Sequence, residues 1–188
     1  MSFNFAPNNQ HVSLMMKNVI NFMDKNTPHL KKYEEIHLLA EKFFDEQKSR
    51  IQKVFPNIQV EHVGGTSIPG SLTFGDLDIQ IRVTKEQFSQ VRDVLKDFYH
   101  ENKLELWTDE LALFHWKDHP QISMSIVLTA IDSAYDEFYK TRDLLRARPD
   151  LLEKYNNLKQ QYEGKSIEEY RIAKRAFFGP NGQNNLIE

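Results

Sequence analysis

Residues 62–81 read HVGGTSIPGSLTFGDLDIQI, and this stretch holds the side chains best suited to chemistry. Gly64 and Gly65 let the backbone approach a ligand with its amide groups turned outward, the arrangement that cradles phosphate. Thr66 and Ser67 add hydroxyl donors, and Pro69-Gly70 suits a type II turn that would fix the loop. Asp76 and Asp78 follow. On a strand, residues two apart share a face, so both carboxylates would point the same way. Two carboxylates beside a phosphate cradle are what Mg2+-dependent phosphoryl or nucleotidyl transfer needs, since magnesium takes one or two carboxylates together with substrate phosphates. Asp76 and Asp78 are therefore the candidate metal-binding and catalytic pair, with Mg2+ as the expected cofactor. The same residues also compose a plain turn running into a strand. A small-molecule binder without metal would keep the turn and use Asp76 and Asp78 for structure alone.

Other polar residues could serve the same site. His62 precedes the turn and could orient it or touch a phosphate; a half-buried histidine bonded to backbone is the alternative. Arg142 and Arg146 lie four apart on one predicted helical face, and Lys159 and Lys174 come from the helices after it. The arginine fork suits phosphate or carboxylate, so these residues could hold a nucleotide over the aspartates. They could equally pair with Asp136, Glu137, Asp143 or Asp150 and lock helices to a sheet. His115 and His119 flank a turn without the spacing of a helical metal site. Basic residues are interleaved with acids throughout, so no nucleic-acid surface is expected.

The elements that must position these residues follow from periodicity. Residues 12–24 and a segment starting at Thr27-Pro28, with Ile36, Leu39, Ala40, Phe43 and Phe44 as its apolar face, predict two N-terminal helices within 11–50. IQVEHV and LDIQIRV alternate as strands on either side of the glycine turn. Thr84 with Gln87 forms a capping box opening a helix over 85–99. KLELWT, LALFHWK and ISMSIVLT predict three strands in successive hairpins. From Asp132 to about Phe178 the pattern is helical. Pro149 and Gly164 divide it in three, and Ser166 with Glu169 forms another capping box. The expectation is one domain over 1–188, with a sheet core at 57–129, C-terminal helices at 131–178 and a loose tail at 180–188. This is an α/β (α+β) fold: a mixed β-sheet with helices packed on it.

Composition narrows the classes. The 188 residues carry a net charge of −3, are 40% hydrophobic and 27% charged, and include no cysteine. Thiol catalysis, disulfides and Cys-ligated zinc are excluded. The N-terminal stretch has neither a basic leader region nor an unbroken apolar run, so neither signal peptide nor membrane span is expected, and a cytoplasmic location is.

The segment EHVGGTSIPG resembles the EHIGSTSVPG signature of the GrpB family, also called UPF0157. Strand, glycine turn and alternating acids together resemble the polymerase-beta-type nucleotidyltransferase superfamily. Phe138, Arg142, Asp143, Leu145, Arg146, Pro149, Tyr155, Leu158, Lys159, Tyr170 and Lys174 match the family's C-terminal helical pattern, and the resemblance covers about residues 56–178. It implies a nucleotidyltransferase-like fold. It also implies either a Mg2+-assisted binder of a nucleotide or phosphorylated small molecule, with transfer of a nucleotidyl group, or a non-catalytic binding or folding-assistance module, since the family is also found beside dephospho-CoA kinase. Four departures stand out. Gly65 replaces the family's serine, and Phe74-Gly75 replaces Lys-Pro ahead of the strand. Gln80 stands where the second acid would align with Asp78 as the first; in the alternative register Asp76 and Asp78 are themselves the pair. The superfamily's third carboxylate is missing: ISMSIVLT offers Ser123 and Ser125, leaving Glu105 and Asp109 as distant substitutes.

Overall fold

The structure is a computed structural model and describes residues 29–116 and 121–179. The elements in chain order are β1 (Lys31–Lys32), α1 (Tyr33–Val54), β2 (Gln59–Val63), a 3-10 turn (Gly65–Ser67), β3 (Leu72–Thr73) and β4 (Leu77–Val83). Then come α2 (Lys85–Leu95), β5 (His100–Asn102), a second 3-10 turn (Leu104–Leu106), β6 (Leu111–Trp116) and β7 (Met124–Ala130). Three helices close the described chain: α3 (Phe138–Ala147), α4 (Pro149–Gln161) and α5 (Ile167–Phe178).

Five strands form one mixed sheet in the order β2-β4-β7-β6-β5, in which only β4 and β7 run parallel. Strand β4 lies inside the sheet, between β2 and β7. Leu77, Ile79, Ile81 and Val83 are at most 1% exposed, and they meet Ala40, Phe43, Phe44 and Ile51 of α1 and Phe88, Val91 and Leu95 of α2. Each such side chain contributes about 1.5–3 kcal/mol through burial. Helix α1 supplies its layer through Ile36, Ala40, Phe43, Gln47 and Ile51, whose steps of three and four residues keep one face inward. A smaller cluster, Leu106, Leu111, Leu113, Val127 and Tyr135, covers the opposite face. Helices α3, α4 and α5 gather Leu145, Leu151, Tyr155 and Phe178 around Ile68, the residue just after the glycine turn. The helical group thus rests on the turn.

Both predicted capping boxes form, at Thr84–Gln87 and Ser166–Glu169, and Pro149 opens α4. Other expectations shift. KLELWT is not a strand: Lys103 at φ +48° turns the chain into the 3-10 turn, and pairing to β6 is made upstream by His100–Asn102. The α1 helix begins at Tyr33 rather than at Pro28, because Lys31–Lys32 pair as a strand with Leu72–Thr73. Residues 131–137 are turns, and α3 starts only at Phe138. The helix expected over 12–24, the tail at 180–188 and His119 lie outside the described residues.

A buried polar network docks this linker and α3 on the sheet. Gln80, fully buried, donates from Nε2 to Thr129 Oγ1 and to Asp136 Oδ1, both at 3.0 Å, and accepts the Tyr139 amide at 3.0 Å. Arg82 grips Asp136 with two bonds of 2.6 Å and lies 3.7 Å over the Tyr139 ring. The amide is required at position 80 because it must donate to a carboxylate and accept a backbone N–H at once. An acid at this position should therefore fail. Gln80→Glu loses its donor and sets a carboxylate against Asp136, so urea unfolding is expected to show a loss of about 1–3 kcal/mol, larger at pH 8 than at pH 5. Unchanged stability at both pH values would contradict this account of the network.

Candidate functional site

Strand β2 delivers the chain to Gly64, whose φ of +74° few other residues adopt. A Cβ built there would lie 2.0 Å from Asp78 Oδ2, so only glycine lets the turn pack against that carboxylate. In the turn itself, Ser67 N–H donates to the Gly64 carbonyl and Ile68 N–H to that of Gly65, both at 3.3 Å. The Gly65 and Thr66 amides precede the first of these closing bonds. The hydroxyls are committed inward. Ser67 Oγ donates to Gly64 O at 2.7 Å, and Thr66 Oγ1 donates to Asp76 O at 2.9 Å.

His62 stands behind the turn. Its Nε2 is 3.0 Å from Thr66 Oγ1, its Nδ1 is 3.0 Å from Glu41 Oε1, and its ring stacks on Phe44 with centroids 5.1 Å apart. Thr66 spends its one proton on the Asp76 carbonyl, so His62 donates to it from Nε2, and a hydrogen bond to the Glu41 carboxylate at the same time needs a proton on Nδ1 as well. Burial lowers the imidazole pKa, and the Glu41 carboxylate opposes the shift. The chain Glu41–His62–Thr66–Asp76 therefore fixes where the acidic loop leaves the turn.

The two aspartates lie at the head of β4. Asp76 is in the loop, one residue before the strand, and Asp78 is inside it. Asp76 is 9% exposed, and its Oδ2 is buried without a hydrogen-bond partner. Burial raises its pKa, against the pull of Lys174 and Lys159. Burial also holds the Asp78 carboxyl well above the usual range, and the like charge of Asp76 pushes it further. Asp78 keeps partial exposure, which gives the pair its opening. Two desolvated carboxylates sharing a site and an orphaned oxygen are a donor set for a hard cation. Among the described residues no group of three or more His, Cys, Asp or Glu side chains is arranged to hold a metal ion, so further ligands would have to come from substrate.

The basic candidates divide. Arg142 donates from Nη1 to Glu61 Oε2 at 2.8 Å and to His62 O at 2.9 Å, and from Nε to Asp143 at 2.8 Å. Arg146 clamps the Ser67 carbonyl with Nε at 3.0 Å and Nη2 at 2.5 Å. Both arginines thus bind the backbone around the turn. Lys159, 3% exposed, donates to Ser71 Oγ at 3.0 Å and to Leu72 O, with its ammonium 4.2 Å from the Tyr155 ring centre. Burial, with Lys174 nearby, lowers its pKa to about 7. Lys174 makes no hydrogen bond or ion pair with a described residue, and its charge acts on both aspartates. The buried Tyr155–Tyr170 hydroxyl pair, 2.9 Å apart, stands below them.

Across the sheet, Asp78 faces Ser125 of β7, and Ser125 faces His115 of β6. The position abreast of Asp78, where a third acid is sought, is therefore a serine, as the spacing of ISMSIVLT implies. Sequence reasoning overlooked Glu41, Asn156 and Thr73. Asn156 accepts the Leu72 amide at 2.8 Å and donates to Gly70 O at 2.9 Å, a cross-link between α4 and the loop with no local signal.

The profile of the family described as GrpB protein matches residues 28–180. A UPF0157 protein of Vibrio cholerae serotype O1 is 31% identical over 147 residues, covering 78% of this chain and 77% of that one. A UPF0157 protein of Halalkalibacterium halodurans is 30% identical over 146 residues, covering 71% of each. Among solved structures, the conserved protein GrpB from Enterococcus faecalis superposes with a TM-score of 0.61 at 20% identity, over 79% of this chain and 91% of that one. A Cid1 poly(U) polymerase with MgGTP bound superposes with a TM-score of 0.50 at 10% identity, over 80% of this chain but only 46% of the polymerase. The fold is thus nucleotidyltransferase-like, and with the profile spanning most of its length the chain belongs to the GrpB family.

Proposed function

We propose that this protein binds the phosphates of a nucleotide or another phosphorylated small molecule through Mg2+ held by Asp76 and Asp78. The observation that carries the reading is the buried, partnerless Asp76 Oδ2 beside a second desolvated carboxylate, packed where Gly64 alone leaves room. A divalent cation would relieve the repulsion between the two carboxylates and take its remaining ligands from phosphate oxygens. The Gly65 and Thr66 amides face the same ligand, while Arg142, Arg146, His62 and the Thr66 and Ser67 hydroxyls hold the turn in shape. The fold likeness to a polymerase crystallised with MgGTP supports the choice of ligand class. The proposal stops at binding. Transfer to a hydroxyl acceptor needs a base, and β7 sets Ser125 abreast of Asp78. That serine favours, as a second reading, a non-catalytic module that uses a bound nucleotide to hold one conformation.

Calorimetric titration of ATP with and without Mg2+ tests the site. Wild type is expected to bind only with the metal, Asp78→Asn to lose binding, and Gly64→Ala to lose it too. The last variant displaces the Asp78 carboxylate and puts a side chain at positive φ, at a cost of about 1–2 kcal/mol in stability. No metal-dependent binding of any nucleoside triphosphate by wild type would sink the reading.

The carboxylate pair also predicts a pH signature without ligand. Asp78 holds its proton more tightly in the folded than in the unfolded chain, whose value is 3.8. The folded state therefore carries the extra proton from about pH 4 up to the raised value, and stability falls as pH climbs through that window. Asp78→Asn escapes this loss. Its Tm should exceed that of wild type by a margin that widens above pH 4, by about 2–4 °C for each kcal/mol relieved. Mg2+ should narrow the margin by stabilising wild type alone. A margin constant with pH in scanning calorimetry would contradict the desolvated pair.

A further inference from the structure

Three glycines around the acidic loop each lie against one polar head group. A Cβ on Gly64 would meet Asp78 Oδ2 at 2.0 Å, one on Gly65 would meet Thr73 Oγ1 at 2.9 Å, and one on Gly75 would meet Lys31 Nζ at 3.2 Å and Lys31 Cδ at 3.1 Å. Phe74 packs edge-on against Tyr170 with centroids 5.3 Å apart, and Lys31 brings an ammonium to the neighbouring Gly75.

The geometry is specific. Strand β1 consists of Lys31 and Lys32 alone, paired with Thr73 and Leu72 of β3 and followed by a bond of 2.9 Å from Tyr33 N–H to Ser71 O. Directly opposed residues of an antiparallel pair project to one side, so Lys31 and Thr73 share a face, whereas Lys32 projects to the other. Thr73 Oγ1 accepts the Gly75 amide at 3.1 Å, which leaves its own proton to donate, and Thr73 is 3% exposed. Lys31 is exposed and makes no hydrogen bond or ion pair with a described residue. Gly75 sits at φ +87° with the end of the lysine stem filling the space a side chain would take.

We infer that Lys31 and Thr73, brought together by the β1–β3 pair, form a phosphate subsite beside Asp76 and Asp78. Lys31 supplies a cation and Thr73, against Gly65, a hydroxyl. The inference rests on the phosphate-binding reading above and assigns it two further residues. Its ligand class is a di- or triphosphate chain: the aspartate-held cation takes one phosphate, and Lys31 with Thr73 takes the next.

The test is calorimetric titration of the full chain with Mg2+-ATP and, separately, with inorganic triphosphate with and without Mg2+. The proteins are wild type, Lys31→Gln, Thr73→Val, Lys32→Gln and Asp78→Asn. Loss of one charge-assisted bond corresponds to about tenfold in affinity. Lys31→Gln and Thr73→Val are each expected to weaken binding by about that factor, while Lys32→Gln stays at the wild-type value. Because Thr73 is buried, the exposed Lys31 decides the matter if Thr73→Val misfolds. Mg2+-ATP binding that is lost in Asp78→Asn but equal to wild type in Lys31→Gln overturns this subsite and leaves the function above standing. Metal-independent triphosphate binding that needs Lys31 but not Asp78 supports the subsite and overturns the Mg2+ site. No binding of either compound by wild type overturns both.

Discussion

The desolvation of two neighbouring carboxylates is the constraint on which the rest of the site depends. Asp76 and Asp78 stand at the entrance to a strand buried along nearly its whole length, where water is scarce and the charge of Asp76 raises the cost of charging Asp78. A chain selected for stability alone would put neutral or apolar groups there. Keeping both acids calls for compensating charge, and the surroundings supply it as the Lys159 and Lys174 side chains. Destabilised charge at a closed position is the usual cost of a binding site, and it is why these two residues rank above the exposed acids elsewhere.

Much of the remaining polar chemistry holds the loop in register. Arg146 grips the Ser67 carbonyl, Arg142 the His62 carbonyl, Lys159 the Leu72 carbonyl, and Asn156 the Leu72 amide and Gly70 carbonyl. All four come from α3 and α4, so the C-terminal helices act as a clamp on residues 62–72. The turn has only a three-residue 3-10 element of its own, and unpaired carbonyls next to a buried site would be costly. Long cationic side chains reach such carbonyls from a distance, and Lys159 brings positive charge toward the aspartates at the same time. The same logic governs the Gln80–Asp136–Arg82 network, which anchors the start of the clamp to the sheet.

The C-terminal motif and the glycine signature are therefore physically one feature. Leu145, Leu151 and Tyr155 close over Ile68, and the arginines on the same helices close over the backbone before it. Apolar packing sets the distance between helix and loop, and the charge-assisted bonds set their register. A change in either would move the aspartates, because Thr66 ties the turn to the Asp76 carbonyl.

Alternation alone was enough to identify β4. The capping boxes at Thr84 and Ser166 and the break at Pro149 are local signals, set by side chains reaching their own backbone within three residues, and they form as expected. The glycine turn and the aspartate pair were legible for the same reason: their chemistry is contained in ten to fifteen consecutive residues. Which carbonyls Arg142 and Arg146 choose depends on partners 80 and 79 residues away in the chain. So does the approach of Lys31 to Gly75, which are 44 residues apart. Short-range geometry is written in residue order, so the sequence determined the turn, the strand and the acids it carries. A hydrogen bond between distant residues exists only once packing has brought them together, so the tertiary structure alone decided which polar groups hold the loop.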